Sequence, residues 1–184
     1  MEYLKVMFLD KSRYSEFKYN VDDVTVALHW NPKANTPKEM GGLNFSNEEN
    51  ILRWLHNGDT IYDVEVPDDA EVICVKECAT PNGVFRANKI IIRNPRKVTD
   101  EIAMEFYKKN KIPEKAFPKA MAAVAVRDYY NTAIQIFNDK VNKDNIEYFI
   151  LEWYDFIEKK NISDCNKTIK IIDRKLNEFI EHIK

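Results

Sequence analysis

The chain has 184 residues, a net charge of −2 and 45% apolar residues, which predict one ordinary globular domain or two small subdomains. A protein that coats DNA or RNA would carry a large positive excess, so the composition argues against that class. No apolar stretch approaches the roughly 18 residues of a membrane span and no signal peptide is recognisable, which predicts a cytoplasmic protein without a membrane partner.

Residues 1–98 show the alternation of apolar and polar positions that is typical of strands, with one short helix. That helix is predicted after Ser46, a plausible N-cap with Glu49 at the capping-box spacing, and it ends near Gly58. Asn94-Pro95 is predicted to close the last strand. The predicted strands are Tyr3–Leu9, Val24–Trp30, Leu43–Phe45, Tyr62–Val66, Glu71–Lys76 and Asn88–Arg93.

From residue 99 onward the apolar period becomes helical. The fold class is therefore predicted to be α+β, with an N-terminal mixed or antiparallel sheet over 1–98 and a C-terminal bundle of helical hairpins over 99–184. The predicted helices are one ending at Lys109 with a Thr99 or Asp100 cap, a long one over Ala116–Asp139, one on the stripe Ile146–Ile157, and a last one capped by Ser163 or Asp164.

No complete catalytic or phosphate-binding signature occurs in the chain. The three histidines lie on different elements, so no metal site is predicted, and His56 and His182 are expected at the surface near helix ends. His29 ends an apolar strand beside Trp30, and it is either a core-edge histidine or a ligand contact. The cysteines are expected to be reduced structural thiols: Cys74, Cys78 and Cys165.

Two adjacent glycines, Gly41 and Gly42, precede the strand that contains Phe45. Glycine permits a close approach of backbone to a ligand, so these three residues are candidate ligand-binding residues. A pocket, if one exists, is predicted between this strand and the strand that carries His29. Ser46 stays open between a helix cap and a polar group at the edge of a ligand.

Five cations occur between Val84 and Thr99 without an intervening acid. They indicate either a solvated strand face or a contact to an anion or nucleic acid, the second being possible but not favoured. The residues are Arg86, Lys89, Arg93, Arg96 and Lys97.

The order of elements around His29, Phe45-Ser46 and Tyr62–Val66 resembles the NAD-binding core of ADP-ribosyltransferase-like proteins. The resemblance implies that His29 holds the nicotinamide ribose and that Ser46 supports the second strand. Tyr62 and an acid such as Glu65 would complete the catalytic set, although no Glu-x-Glu context is present. NAD would then be the cofactor.

Three segments resemble an uncharacterised domain of phage, mobile-element and large-virus proteins with a Gly-Gly-Leu-x-Phe motif. They are Gly-Gly-Leu-Asn-Phe-Ser, Val-Glu-Val-Pro-Asp-Asp-Ala-Glu-Val and Phe-Arg-Ala-Asn-Lys-Ile-Ile-Ile. That family brings no settled activity.

The favoured functional prediction is a protein-binding module without a cofactor, of the phage-inhibitor or host-interaction kind. It would bind its partner through the helical half or the interface of the two halves. The alternative is an ADP-ribosyltransferase-like enzyme that modifies a protein or nucleic-acid target, and the sequence leaves open whether any catalysis occurs.

Overall fold

The computed structural model describes residues 2–11, 17–75, 83–159 and 166–183. The protein is α+β, with a seven-stranded sheet in the N-terminal half and helices in the C-terminal half. Two compact units divide the chain: a β unit of Met1–Ile51 with Asn57–Val98, and a helical unit of Leu52–His56 with Thr99–Lys184.

The described elements follow the chain in this order. The strands are β1 (Tyr3–Met7), β2 (Val24–Val26), β3 (Leu43–Asn47), β4 (Thr60–Glu65), β5 (Val72–Cys74), β6 (Phe85–Ala87) and β7 (Lys89–Lys97). The α-helices are α1 (Pro37–Met40), α2 (Asp100–Lys109), α3 (Phe117–Ala125), α4 (Tyr130–Lys140), α5 (Ile146–Lys159) and α6 (Lys167–Ile183), and 3-10 helices span Ile51–Asn57 and Glu114–Ala116.

The sheet has the strand order β2-β7-β4-β1-β3-β6-β5, and every pair of neighbouring strands is antiparallel. β1 pairs with β4 over five residues, but it pairs with β3 only at Tyr3↔Asn47 and Leu4↔Ser46. One face buries an aromatic cluster, in which Phe45 stacks on Phe85 at 5.6 Å and Tyr3 meets both rings edge-on at 5.0 Å.

Ser46 is not the cap of a helix, and that prediction is wrong. The residue lies in β3, is buried, and donates its Oγ hydrogen bond to the Gly83 carbonyl at 2.6 Å. The helical turn begins later, at Ile51, and it is a 3-10 helix whose N-cap, Asn50, makes no side-chain capping bond. Pairing with β1 extends the strand past the residues that by themselves favour a cap.

β7 continues through Asn94-Pro95 to Lys97, beyond the predicted end. Asn94 adopts a φ of 51°, and the β4–β7 register shifts between Ile61 and Asp63. A proline is tolerated in a strand at such an irregularity because the ladder is already interrupted there. The sequence patterns also did not predict β6 or the short helix α1.

In the helical unit, the predicted cap at Thr99 is confirmed, since its Oγ1 accepts from the Ile102 amide at 3.4 Å. The long helix predicted over Ala116–Asp139 is instead two helices. α3 ends where Asp128 adopts a φ of 60°, with hydrogen bonds from the Tyr129 amide to the Val124 carbonyl and from the Asp128 amide to the Ala125 carbonyl. This pair of bonds is a Schellman ending without glycine.

The last helix, α6, begins at Lys167, where the Asn166 Oδ1 accepts from the Ile169 amide at 2.9 Å. Its predicted apolar stripe is confirmed by the burial of Ile169, Ile172 and Leu176. None of the helices in the described ranges has the length and apolar character of a membrane span. Some predicted features lie outside the described residues: the caps Ser163 and Asp164, and the thiols Cys78 and Cys165.

Candidate functional site

The segment before β3 folds back on the segment after β2. Trp30 and Gly41 form an isolated antiparallel bridge, and the Gly42 amide donates to the His29 carbonyl at 2.8 Å. Between them, α1 closes the connection, with Thr36 as its N-cap. These contacts place the segment around His29, which follows β2, beside the glycine pair.

Glycine is required at both positions for structural reasons. Gly41 and Gly42 adopt φ values of 67° and 76°, which L-residues with a Cβ rarely adopt. A Cβ on Gly41 would lie 2.4 Å from the His29 carbonyl oxygen, and one on Gly42 would lie 2.6 Å from the Trp30 ring. The close approach that the glycines permit is therefore an approach to another part of this chain.

A cleft of about 370 Å³ lies beside this contact, at the place where the sequence predicts a pocket. Its walls are Ala27–His29 on one side and Gly41–Asn44 on the other, with Phe17 and Tyr19. No acidic residue occurs among the described residues that line it. The lining is mainly apolar and aromatic with a few polar groups, as in sites for small ligands.

Of the candidate residues, the cleft brings together His29, Gly41 and Gly42. The His29 ring is exposed, and its Nε2 lies 2.8 Å from the Glu39 carbonyl, which can only accept. Nε2 therefore carries the hydrogen, and Nδ1 is left as an acceptor in the neutral ring. The sequence indicated this histidine as a candidate residue, but it did not specify which ring nitrogen carries the hydrogen.

The other candidates lie elsewhere. Phe45 packs in the aromatic core, and Ser46 is bonded to Gly83. Tyr62 is buried and donates to the Leu9 carbonyl at 2.9 Å, while burial first and then the nearby Asp10 and Asp59 raise its pKa. Glu65 is exposed and accepts from the Arg93 Nε at 2.9 Å. The set implied by the transferase resemblance is not gathered at the cleft.

Four of the five cations of the Val84–Thr99 segment are engaged within the chain. Arg86 donates to the Gly41 carbonyl, and Lys89 to Asp69. Arg93 pairs with Glu65 and Asp22, and Arg96 makes two bonds to the Asp63 carboxylate, at 2.6 and 3.0 Å. The hydrogen bonds from Arg96 are the largest cause of the lowered pKa of Asp63. Such pairs reduce the charge that this segment presents to an anionic polymer.

Lys5 is a polar residue of this region that the sequence analysis did not identify. It is 6% exposed, its Nζ donates to the Asn44 backbone carbonyl and to Asn44 Oδ1, and it lies 4.7 Å from the centre of the Tyr19 ring. Burial first, and then the charge of Arg86, lower the Lys5 pKa to about 7. In the sequence, Lys5 only interrupts an apolar run, and that pattern does not predict its burial or its contact to Asn44.

Besides the cleft on the β unit, a second concave surface lies on the helical unit, and we call it the α5–α6 groove. Its volume is about 520 Å³. Leu151 is 66% exposed and Tyr154 is 39% exposed, both on α5. The lining residues are Glu147, Ile150, Leu151, Tyr154, Asp155, Glu158 and Ile180.

Within the described ranges, no group of three or more histidine, cysteine or acidic side chains could hold a metal ion. Comparison of the chain with family models, curated proteins and solved structures gave no match.

Proposed function

We propose that this protein is a protein-binding module whose helical unit takes up a basic amphipathic segment of its partner in the α5–α6 groove. The observation that carries the proposal is the second stripe of α5, which combines exposed apolar residues with carboxylates. The phage-type inhibitor or host-interaction role is the finer form of the proposal, and it rests on the sequence resemblance.

α5 has two stripes with helical spacing. The residues Ile146, Phe149, Trp153 and Phe156 are buried in the unit. A second stripe, Glu147, Leu151, Tyr154 and Glu158, follows the spacing 4, 3, 4 and lines the groove. An apolar centre between acidic ends is a surface to which an amphipathic helix with basic flanks is complementary.

The carboxylates at the two ends of the stripe have no ion-pair partner among the described residues: Glu147 and Glu158. Asp155 by contrast pairs with Lys159 at 2.7 Å. From the helical rise, the two ends are about 16 Å apart, so basic residues about 11 positions apart on a partner helix running along α5 would reach both.

Tyr154 is held in place from the neighbouring helix. The Asn177 Nδ2 donates to the Tyr154 hydroxyl at 3.2 Å, and burial is the largest cause of the raised pKa of this tyrosine. A positioned aromatic ring beside an exposed leucine is the kind of anchor that contributes most to protein interfaces.

The test uses two designed helical peptides with the same leucine stripe, one flanked by lysines and the other by glutamates. Fluorescence anisotropy with the full chain should show binding of the lysine peptide that weakens with added salt, and at least about tenfold weaker binding of the glutamate peptide. The double variant Glu147→Lys with Glu158→Lys should reverse this preference.

Leu151→Ala should also weaken binding of the lysine peptide, with little change in stability because the side chain is mostly exposed. Tyr130→Ala is the matched control, since Tyr130 is 42% exposed on α4, outside the groove. Equal affinity for the two peptides, or unchanged binding by the double variant, would contradict the proposal.

The ADP-ribosyltransferase-like alternative rests on resemblance alone. Ser46, Tyr62 and Glu65 lie outside the cleft at His29, and no other observation favours that activity.

A further inference from the structure

The cleft on the β unit has a polar end at Asn44. In its protonated form Lys5 Nζ can only donate, so the Asn44 side chain presents Oδ1 to it, at 3.0 Å. The Asn44 amide nitrogen is then left as a donor, and it has no partner among the described residues. Since Asn44 is exposed and lines the cleft, this donor is available to a ligand.

Two basic side chains contact the backbone of the wall Gly41–Asn44. Lys5 also donates to the Asn44 carbonyl, and Arg86 on β6 donates to the Gly41 carbonyl. No acid occurs among the described lining residues, so these two basic groups favour a negative group in the cleft. Low exposure of Lys5 strengthens its interaction with a nearby charge, since solvent screens it less.

The rest of the cleft suits a flat apolar body. Tyr19 is 3% exposed and Leu43 is 4% exposed, so both present fixed walls, and Phe17 lies beside Tyr19 with the ring centres 5.1 Å apart. A space of about 370 Å³ is within the range of small-molecule sites and accommodates a two-ring aromatic compound.

We infer that the cleft between Ala27–His29 and Gly41–Asn44 binds a small aromatic anion, whose negative group accepts from the Asn44 amide in front of Lys5 and Arg86. The rings of the ligand lie against Tyr19 and Leu43. The site is separate from the α5–α6 groove, and the inference does not depend on the proposed protein-binding function.

Binding of the anion should also move a proton. With a pKa of about 7, the Lys5 amine is partly neutral around and above that pH, and a bound negative charge favours its protonated form. The groups that face Lys5 are Arg86 on β6, Tyr62 across from it on β4, and the Tyr19 ring. Neither tyrosine supplies a competing negative charge near neutral pH, because burial raises the pKa of both.

The experiment is isothermal titration calorimetry of the full chain with naphthoate and with the neutral naphthamide of the same shape. Naphthoate should bind at least about tenfold more tightly, which corresponds to about 1.4 kcal/mol. Its affinity should fall as the pH rises above 7, and the heats in buffers of different ionisation enthalpy should report proton uptake. Naphthamide should show no such uptake.

Two variants and one control variant test the inference further. Asn44→Asp, at an exposed position, should weaken naphthoate about tenfold and leave naphthamide nearly unchanged. Lys5→Met should abolish the proton uptake, whereas Lys89→Met, which removes a lysine paired with Asp69, should preserve it. Absence of naphthoate binding, equal affinity for the two compounds, or binding of naphthoate without proton uptake would overturn the inference.

Discussion

At the scale of single residues, the glycine pair fixes how the chain before β3 meets the chain after β2. Gly41 and Gly42 both adopt a positive φ. At each of them, the position that a Cβ would occupy has room only for a hydrogen atom. The neighbours are the His29 backbone and the Trp30 ring, and the ring is itself held by a 2.6 Å hydrogen bond from its Nε1 to Glu71. Neither neighbour can yield at low cost.

We therefore expect Gly41→Ala to lower the free energy of unfolding by more than about 2 kcal/mol, since strain at positive φ costs roughly 1–2 kcal/mol and the contact with His29 adds to it. Urea denaturation followed by circular dichroism measures the change. Leu9→Gly is the comparison: Leu9 has a φ of 54° and is 71% exposed, so stability should stay within about 1 kcal/mol. Equal destabilisation by the two variants would contradict this account.

At the scale of elements, α4 receives its N-terminal cap from a different helix. Tyr129, its own N-cap residue, makes no side-chain capping bond. The Asp100 carboxylate on α2 accepts instead from the Asn131 amide at 2.7 Å and from the Thr132 amide at 3.0 Å. A negative group at this end of a helix meets unpaired amides and the positive end of the helix dipole.

Asp100→Ala should therefore lower the free energy of unfolding by about 2 kcal/mol, because several charge-assisted hydrogen bonds are lost, including one from the buried Thr132 hydroxyl at 2.7 Å. Chemical denaturation provides the measurement. Glu105→Ala, an exposed acid on the same helix, should change stability by less than about 0.5 kcal/mol. A loss at Asp100 no greater than that at Glu105 would show that the cap is unimportant.

Element boundaries show where local pattern sufficed and where it did not. The Thr99 cap could be predicted because a threonine side chain and the next few amides decide it locally. The break between α3 and α4 could not, because Asp128 at positive φ is supported by Thr168, 40 residues away, whose hydroxyl donates to its carboxylate at 2.6 Å. Ser46 is a similar case, fixed by Leu4 and Gly83 rather than by its neighbours.

At the scale of the whole molecule, the two units are not contiguous in sequence. Leu52–His56, from the first half of the chain, belongs to the helical unit. His56 was predicted at the surface, and that prediction is wrong: it is 6% exposed and meets Phe156 edge-on with ring centres 5.1 Å apart. Its Nδ1 lies 3.1 Å from the Arg53 carbonyl, an acceptor that fixes the hydrogen on that nitrogen.

His56→Ala should destabilise the protein by about 2 kcal/mol, since it leaves a cavity beside a buried aromatic ring. His182→Ala is the matched control, because His182 is exposed on α6, and it should be nearly neutral. Thermal unfolding followed at the helical circular-dichroism band measures both. Equal effects of the two substitutions would mean that the packing of His56 contributes nothing.

The sequence by itself determined the α+β class and the change from strand to helical period near residue 98. The reason is that the spacing of apolar residues along the chain distinguishes a strand with one buried face from a helix with one buried face. It also indicated a cleft between His29 and the glycine pair. Only the tertiary structure decided what surrounds that cleft, above all the buried Lys5 and its contact to Asn44. Contacts between residues far apart in the chain set those environments, and no local pattern records which distant segment will supply the partner.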